Sequence, residues 1–356
     1  MPETGAYSES PFKFLEAYRK EDAGSFFGRE SEVRELFERI YLGSIILLYG
    51  GSGTGKSSLI RCGLANQFED TDWLPIYVRR NGHMLTALNK ALRRHALSEM
   101  SMELSLEDKI RSLYLDYFQP IYLIFDQFEE IFIQGDTEEQ EAFFHAMAHL
   151  LRTSDRCKII ISMREEYLAH LSDFEMVIPN LFANRQRLEP MSRMQLRRVI
   201  EGNTALNDIE LEDGVNTADL IIDQLRNEKG EVELPYLQIY LDRLYQQAVR
   251  QKKDNGGYLV FTTEGVRQAR GLKDVLSDFL TEQISALENE LEQEGLRQKG
   301  LPLAVLFSLV TGERTRKSEA VDHIRRDMQR RMKVDPIYVD YCVQRLITMR
   351  ILTFKE

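Results

Sequence analysis

The chain has 356 residues, 43% of them hydrophobic and 29% charged, which is globular composition at a length that calls for two or three domains. Its formal net charge of −11 argues against a general nucleic-acid coat, which needs clustered cations, while leaving room for a local basic patch. The three cysteines, Cys62, Cys157 and Cys342, show no zinc or CxxC spacing, the start MPETGAYSES is polar, and the longest apolar stretch, Leu301–Val310, is too short for a bilayer, so a soluble cytoplasmic chain with reduced thiols is expected.

Residues 44–49, SIILLY, read as a buried strand that ends at Gly50-Gly51, and the segment SSLIRCGLANQF after the turn has helical spacing. WLPIYV (73–78) is a second strand, followed by amphipathic helices over 84–99 and 105–118. IYLIFD (121–126) is a third strand, 137–153 a helix, KIIISMR (158–164) a fourth strand and RQRLEP (185–190) a weak fifth. Apolar strands alternating with helices predict an α/β fold with a doubly wound parallel sheet. Beyond 191 helical periods take over: 192–206, 217–228, 234–252, 263–269 and 272–290, with a turn at 252–257. Helices over 302–310, 318–332 and 336–349 and a closing ILTF strand have the pattern of a winged helix. The expected division is a P-loop NTPase domain with its leader (1–191), an all-α helical lid (192–270) and a winged-helix domain (271–356). The chain stops on what reads as the first strand of a wing, as expected where a C-terminal region is missing.

The strongest motif is Gly50-Gly51-Ser52-Gly53-Thr54-Gly55-Lys56-Ser57, a full GxxxxGK[ST] placed after a strand and before a helix. Glycines let successive backbone N–H groups turn toward a phosphate, and the helix that follows presents its positive end. Lys56 is expected on the β/γ-phosphates, the Ser57 hydroxyl on Mg²⁺, and ATP or ADP as the ligand, with Gly51 to Ser58 forming the cradle. The apolar strand ending at Asp126 is a Walker B pattern, with Asp126 as the second Mg²⁺ residue. Glu129 and Glu130 follow at once, and one of them is expected to activate the attacking water, ahead of the alternative of a solvated helix start. Arg164, at the end of the fourth strand, either senses the γ-phosphate or pairs with Glu165 or Glu166. His145 and His149 share a helix face but lack an acid between them, and read as an ordinary face, with Phe143 and Phe144 as core.

On these residues the chain resembles the STAND class of signalling NTPases, in particular the bacterial novel STAND NTPases. PFKFLEAYRKEDAGSFFGRESEV (11–33) is similar to that group's leader, with an aromatic-rich helix, an EDA turn and an FFGRE box. The resemblance continues through IFDQFEEIF (124–132), ISMREEYL (161–168), LEPMSRMQL (188–196) and ELPYLQIYLDRLY (233–245), and ends in the winged-helix segment. It implies that Phe27, Gly28 and Arg29 lie near adenine, that Pro235 caps the base and that Arg164 is a sensor. It also implies a switch, closed with ADP and self-associating with ATP, tied to effector and sensor regions still to be identified, within a larger bacterial defence or signalling protein. Gln127 stands where many relatives carry an acid, Met191 replaces a usual Leu, and no Met-His-Asp element is evident, so His323 receives no nucleotide contact.

Two rival readings remain at this level. One is a DNA-binding ATP-dependent regulator, on the basic residues of 311–350 (Arg314, Arg316, Lys317, Arg325, Arg326, Arg330, Arg331, Lys333, Arg345 and Arg350). Interleaved acids make DNA the less expected partner. The other is an AAA+-type motor, which the helical lid also fits; the FFGRE leader and the LPYLQ helix favour the switch.

Overall fold

The computed structural model describes residues 10–13, 16–80, 82–101, 103–252, 257–269, 272–296, 299–310, 319–348 and 351–352. The chain divides into two compact units: Ala17–Ile222 with Glu228–Leu234, and Met1–Glu16 with Asp223–Asn227 and Pro235–Glu356.

The first unit is built on five strands, β1 (Ile45–Gly50), β2 (Leu74–Val78), β3 (Ile121–Asp126), β4 (Cys157–Arg164) and β5 (Arg185–Arg187), in the order β2-β3-β4-β1-β5. All four pairings are parallel, the doubly wound sheet that the alternating pattern predicts. Successive residues of a strand face opposite ways. Leu47, Leu123, Phe125, Ile159 and Ile161 join a core with helices Met84–His95, Leu106–Tyr117 and Thr137–Thr153. Ile46, Leu48, Tyr122, Ile124 and Ile160 join a second core with Val33, Leu36 and Ile40 of helix Glu30–Ile40 and with Leu59, Ile60 and Leu64. Covering both faces explains why β1, β3 and β4 are apolar at nearly every position. The outer strands carry the exceptions. Pro75 lies in β2, which pairs only with β3, and β5 exposes Arg185 and Arg187 around the buried Gln186.

The helices follow the predicted periods, with ends set by caps. Asp136 accepts the Glu139 N–H at 2.8 Å to start Thr137–Thr153, and Ser192 with Gln195 forms a capping box for Arg193–Leu206. Helix Glu30–Ile40 and the short strands Ile209–Leu211 and Leu259–Phe261 lie outside the predicted elements. The leader departs from its expectation: among the described residues of 10–19 there is no helix, and the EDA residues lie in a 3₁₀ helix, Lys20–Ser25.

In the second unit, Leu272–Gln293 and helices Leu301–Ser308, Val321–Met332 and Pro336–Thr348 surround one core that includes Leu287, Val305, Ile324, Met328, Cys342 and Leu346. The closing strand is not seen where expected: Ile351 and Leu352 form a bend whose N–H groups return to the Leu346 carbonyl, and the remainder of ILTF is outside the described residues. Residues 311–318 and Arg350, which carry part of the basic excess, also lie outside them, as does the middle of the 252–257 turn. Phe12 of this unit packs on Tyr245 at 6.3 Å, and the Lys13 N–H donates to Gln238 at 3.2 Å.

The segment after β2 is fixed by a buried ion pair. Arg80 donates to both carboxylate oxygens of Glu139, at 3.0 and 2.8 Å, while Glu139 also accepts the Met84 N–H at 2.7 Å. Removing one partner leaves a buried charge alone, a change that costs about 3–5 kcal/mol. Glu139→Ala is therefore expected to lower the midpoint of thermal unfolding by several degrees, and the double change Arg80→Met, Glu139→Leu to recover most of the loss. Calorimetry showing no loss in the single variant would contradict this role.

Candidate functional site

The C-terminal ends of the parallel strands meet at one edge of the sheet. The register pairs Gly50 of β1 with Arg164 of β4, and Asp126 of β3 with Ser162 of β4. That is the edge at which ligands of open α/β sheets bind. At the end of β1 a Cβ on Gly50 would approach the Leu188 carbonyl oxygen to 2.4 Å, so the position accepts only glycine. Gly53 and Gly55 have φ of +72° and +92°, the left-handed turn that lets the loop double back before the helix. The helix then begins at Lys56, widens into a π-helical stretch, Leu59–Leu64, and closes with a 3₁₀ turn, Ala65–Gln67.

Lys56 Nζ donates to the carbonyls of Gly50 and Gly51 at 2.8 and 2.7 Å, so its ammonium lies inside the loop. Burial pulls its pKa down, against the pull of Glu129 and Asp126 in the other direction. The Ser57 hydroxyl donates to Asp126 Oδ1 at 2.9 Å, joining the helix start to the end of β3. An alcohol and a carboxylate this close are the hard oxygen donors that Mg²⁺ takes. Thr54 closes the loop by donating to the Gly51 carbonyl at 3.0 Å, Ser52 is exposed, and Ser58 Oγ accepts the Tyr18 N–H at 3.1 Å.

Asp126 is 2% exposed and faces Arg79, whose Nη2 is 2.6 Å from Oδ2, with Arg61 Nε at 3.8 Å. Burial pushes the carboxyl up, but the two arginines and the Ser57 hydroxyl outweigh it and hold the pKa below the ordinary value. After Asp126, Gln127 adopts φ +59°, and this turn lets the Phe128 N–H reach the Ser162 carbonyl at 2.9 Å. The turn brings Glu129 inward. Glu129 is 5% exposed, 3.2 Å from Arg164 Nε, and accepts the Arg164 backbone N–H at 3.2 Å. Glu130 begins the short helix Glu130–Gln134 and is half-buried. The two adjacent acids that the sequence leaves equivalent therefore differ in surroundings. Arg164 pairs with Glu129 rather than with Glu165 or Glu166, and Glu165 is taken by Arg187 at 2.8 Å.

The FFGRE box is tied to the loop. Arg29 is buried and donates to the Thr54 carbonyl at 3.0 Å and the Glu189 carbonyl at 2.8 Å. Gly28 has φ +82°, and a Cβ there would meet the Gln195 carbonyl oxygen at 2.8 Å. Phe27 packs on Gly202, where a Cβ would fall 2.7 Å from the ring. Leu234 donates its N–H to the Gly53 carbonyl at 3.3 Å, and Pro235, next in the chain, belongs to the other compact unit.

Arg79 and Arg61 are absent from the sequence reading. Register is the signal that would have found Arg79. Val78 pairs with Phe125, so the next residue along each strand stands level, Arg79 beside Asp126. Arg61 lies one turn into the P-loop helix, with its guanidinium 4.3 Å from the centre of the Tyr77 ring. His145 and His149 are exposed, Phe143 and Phe144 are fully buried, and no metal-binding group of three or more His, Cys, Asp or Glu occurs among the described residues. Among those residues, no helix is long and apolar enough to cross a membrane.

A parallel sheet whose first strand runs through GxxxxGKS, with a buried acid two strands away hydrogen-bonded to that serine, defines a nucleotide-binding P-loop NTPase. The chain belongs to the novel STAND NTPase 1 family, whose model matches residues 11–356. Its fold is similar to that of the Aeropyrum pernix ORC2 protein, solved as ADPNP–ADP complexes, at 15% identity and a TM-score of 0.50, covering 92% of this chain and 87% of that one. Similarity extends to the ORC1 protein of that organism in complex with DNA (16% identity, TM-score 0.49, 92% and 84% covered) and to a Walker-type ATPase of Pyrococcus abyssi (15%, 0.49, 96% and 94%). No curated protein matches the chain.

Burial pushes the Glu129 pKa above the ordinary glutamate value, even with Arg164 and Lys56 pulling it down. A raised folded pKa gives stability that is full below the unfolded pKa and lost as pH rises through the folded one. Glu129→Gln, which cannot ionise, is therefore expected to unfold at a higher temperature than the native chain near neutral pH, with the gap closing as pH falls to about 4. A variant less stable at neutral pH would show that the ionised pair with Arg164 stabilises the fold.

Proposed function

We propose that the chain is an ATP-binding, slowly hydrolysing switch, closed with ADP and self-associating with ATP, working with effector and sensor regions. The observation that carries this reading is the pair between Arg164 and the buried Glu129 at the end of β4. The Arg164 side chain is 41% exposed, so it can exchange partners, whereas Glu129 is held in the interior. A γ-phosphate would compete with Glu129 for the guanidinium, and ADP has none to offer. Only such differential contact can shift a conformational equilibrium. A charge-assisted contact of about 1.5–3 kcal/mol shifts populations by roughly one to two decades, sufficient for a switch and short of a locked state.

In this reading Lys56 and the backbone of Gly51 to Ser58 hold the phosphates, Ser57 and Asp126 hold Mg²⁺, and Glu129 orients and deprotonates the attacking water. Bound Mg²⁺ would neutralise charge on the phosphates. Glu129 is favoured over Glu130 because burial keeps its proton affinity high and its place beside Arg164 fixes it. Phe27, Gly28 and Arg29 lie on the adenine side. We assign these roles to an NTPase part (1–191), a helical lid (192–270) and a winged-helix part (271–356). DNA is the less favoured partner in this reading. Its support is that the arginines of Val321–Met332 already meet acids: Arg325 meets Asp340 at 2.6 Å, and Arg330 and Arg331 meet Asp327 at 3.2 and 3.1 Å.

Lys56→Ala is expected to weaken ATP binding about tenfold to a hundredfold by calorimetry, the loss of one charge-assisted contact. Unchanged affinity would remove the phosphate-site assignment. Glu129→Gln is expected to bind ATP normally and hold it unhydrolysed, while Glu130→Gln turns over at the native rate. The reverse result would make Glu130 the base.

A further inference from the structure

The two oxygens of Asp126 have different partners. Oδ1 accepts from the Ser57 hydroxyl at 2.9 Å; Oδ2 faces Arg79 Nη2 at 2.6 Å and Arg61 Nε at 3.8 Å. The carboxylate is almost fully enclosed, with its side chain 3% exposed, so neither water nor bulk salt competes well for Oδ2. Arg79 is there because β2 and β3 run parallel in register, and its position just past Val78 puts it beside Asp126. Arg61 packs over the Tyr77 ring, 4.3 Å from its centre. Arg79, at the end of the strand, is the nearer of the two cations to Oδ2.

We propose that Arg79 is a resident counter-cation of Asp126 that opposes a divalent ion at the Ser57–Asp126 pair, so that the metal enters this site only together with nucleotide phosphates. This rests on the reading of Ser57 and Asp126 as the Mg²⁺ residues. A divalent ion on Oδ1 would sit within one carboxylate's width of the Arg79 charge. Even with water-like screening, the repulsion between a double and a single positive charge at that range weakens binding by about tenfold, and partial burial increases it. Lys56 and Arg61 add to the same field, against Glu129, which is already paired with Arg164. Polyphosphate brings the negative charge that reverses this balance. Arg79 is thus a positioning residue for the metal and touches neither metal nor phosphate in this role. The arrangement makes occupancy of the metal site a report on nucleotide, and it keeps free divalent ions from mimicking the loaded state.

The test uses Mn²⁺ as the probe, with free ion measured by electron paramagnetic resonance on the full chain, stripped of nucleotide or supplied with ADP. The native chain is expected to take up Mn²⁺ tightly with ADP and poorly without it. Arg79→Gln, neutral but able to donate to Oδ2, is expected to gain at least about tenfold in nucleotide-free Mn²⁺ affinity. Arg79→Lys is expected to stay native-like. A gain from misfolding would not depend on Asp126. Asp126→Asn placed in the Arg79→Gln background is expected to erase the gain; its persistence would locate the ion elsewhere and overturn the proposal. Nucleotide-free affinity in Arg79→Gln that is unchanged or weaker, while Mn²⁺ still binds with ADP, overturns the Arg79 role alone. Failure of the native chain to take up Mn²⁺ with either ADP or ATP would overturn the metal reading of Ser57 and Asp126, and this proposal with it.

Discussion

The hydrogen bond from the Ser57 hydroxyl to Asp126 links the helix that opens at the P-loop to a strand two places away in the sheet. It can form only because β1, β4 and β3 are parallel and end level, with Gly50 opposite Arg164 and Asp126 opposite Ser162. Every other feature of the site follows from that edge. Gly50 must lack a side chain because the Leu188 carbonyl passes against it, and Arg29 fixes the loop from outside by holding the carbonyls of Thr54 and Glu189. The leader box and the stretch after β5 thus brace the same loop, which gives a physical reason for FFGRE to accompany GxxxxGKS in one chain.

The second constraint is electrostatic. A chain with a formal net charge of −11 gathers Lys56, Arg61, Arg79 and Arg164 around two buried acids, Asp126 and Glu129. The average composition conceals this local excess of positive charge, which suits a polyphosphate. The acids are pushed in opposite directions. Asp126, which two arginines face, stays below its ordinary pKa, while Glu129, where burial prevails over Arg164, rises above it. Two carboxylates three residues apart thereby differ in proton affinity, one lowered by its arginines and the other raised by burial.

Much of this was legible in the sequence, and the failures have physical causes. β1, β3 and β4 announce themselves because helices cover both faces, so their apolar runs are continuous. β5, an edge strand of Arg-Gln-Arg, carries almost no such signal. Helix Glu30–Ile40 has its apolar residues at Val33, Leu36 and Ile40, a readable period hidden behind the leader motif. The leader itself is aromatic without being helical over its described residues; Phe12 instead packs on Tyr245, a contact between positions far apart in sequence. Motifs single out Lys56, Ser57, Asp126 and the pair Glu129 and Glu130, but not Arg79, because its place depends on the pairing of β2 with β3 and no local pattern encodes it. The difference in burial between Glu129 and Glu130 likewise follows a single left-handed residue, Gln127.

In the proposed switch the γ-phosphate, through Arg164, changes the state of the molecule. The most direct measurement is small-angle scattering with light scattering on the chain saturated with ADP or with a slowly hydrolysed ATP analogue, for the native protein and Arg164→Ala. The switch predicts a compact monomer with ADP, an opened or self-associated form with the analogue, and a blunted difference in Arg164→Ala at nearly native ADP affinity. Identical mass and profile with the two nucleotides would contradict it and leave a simple nucleotide-binding module.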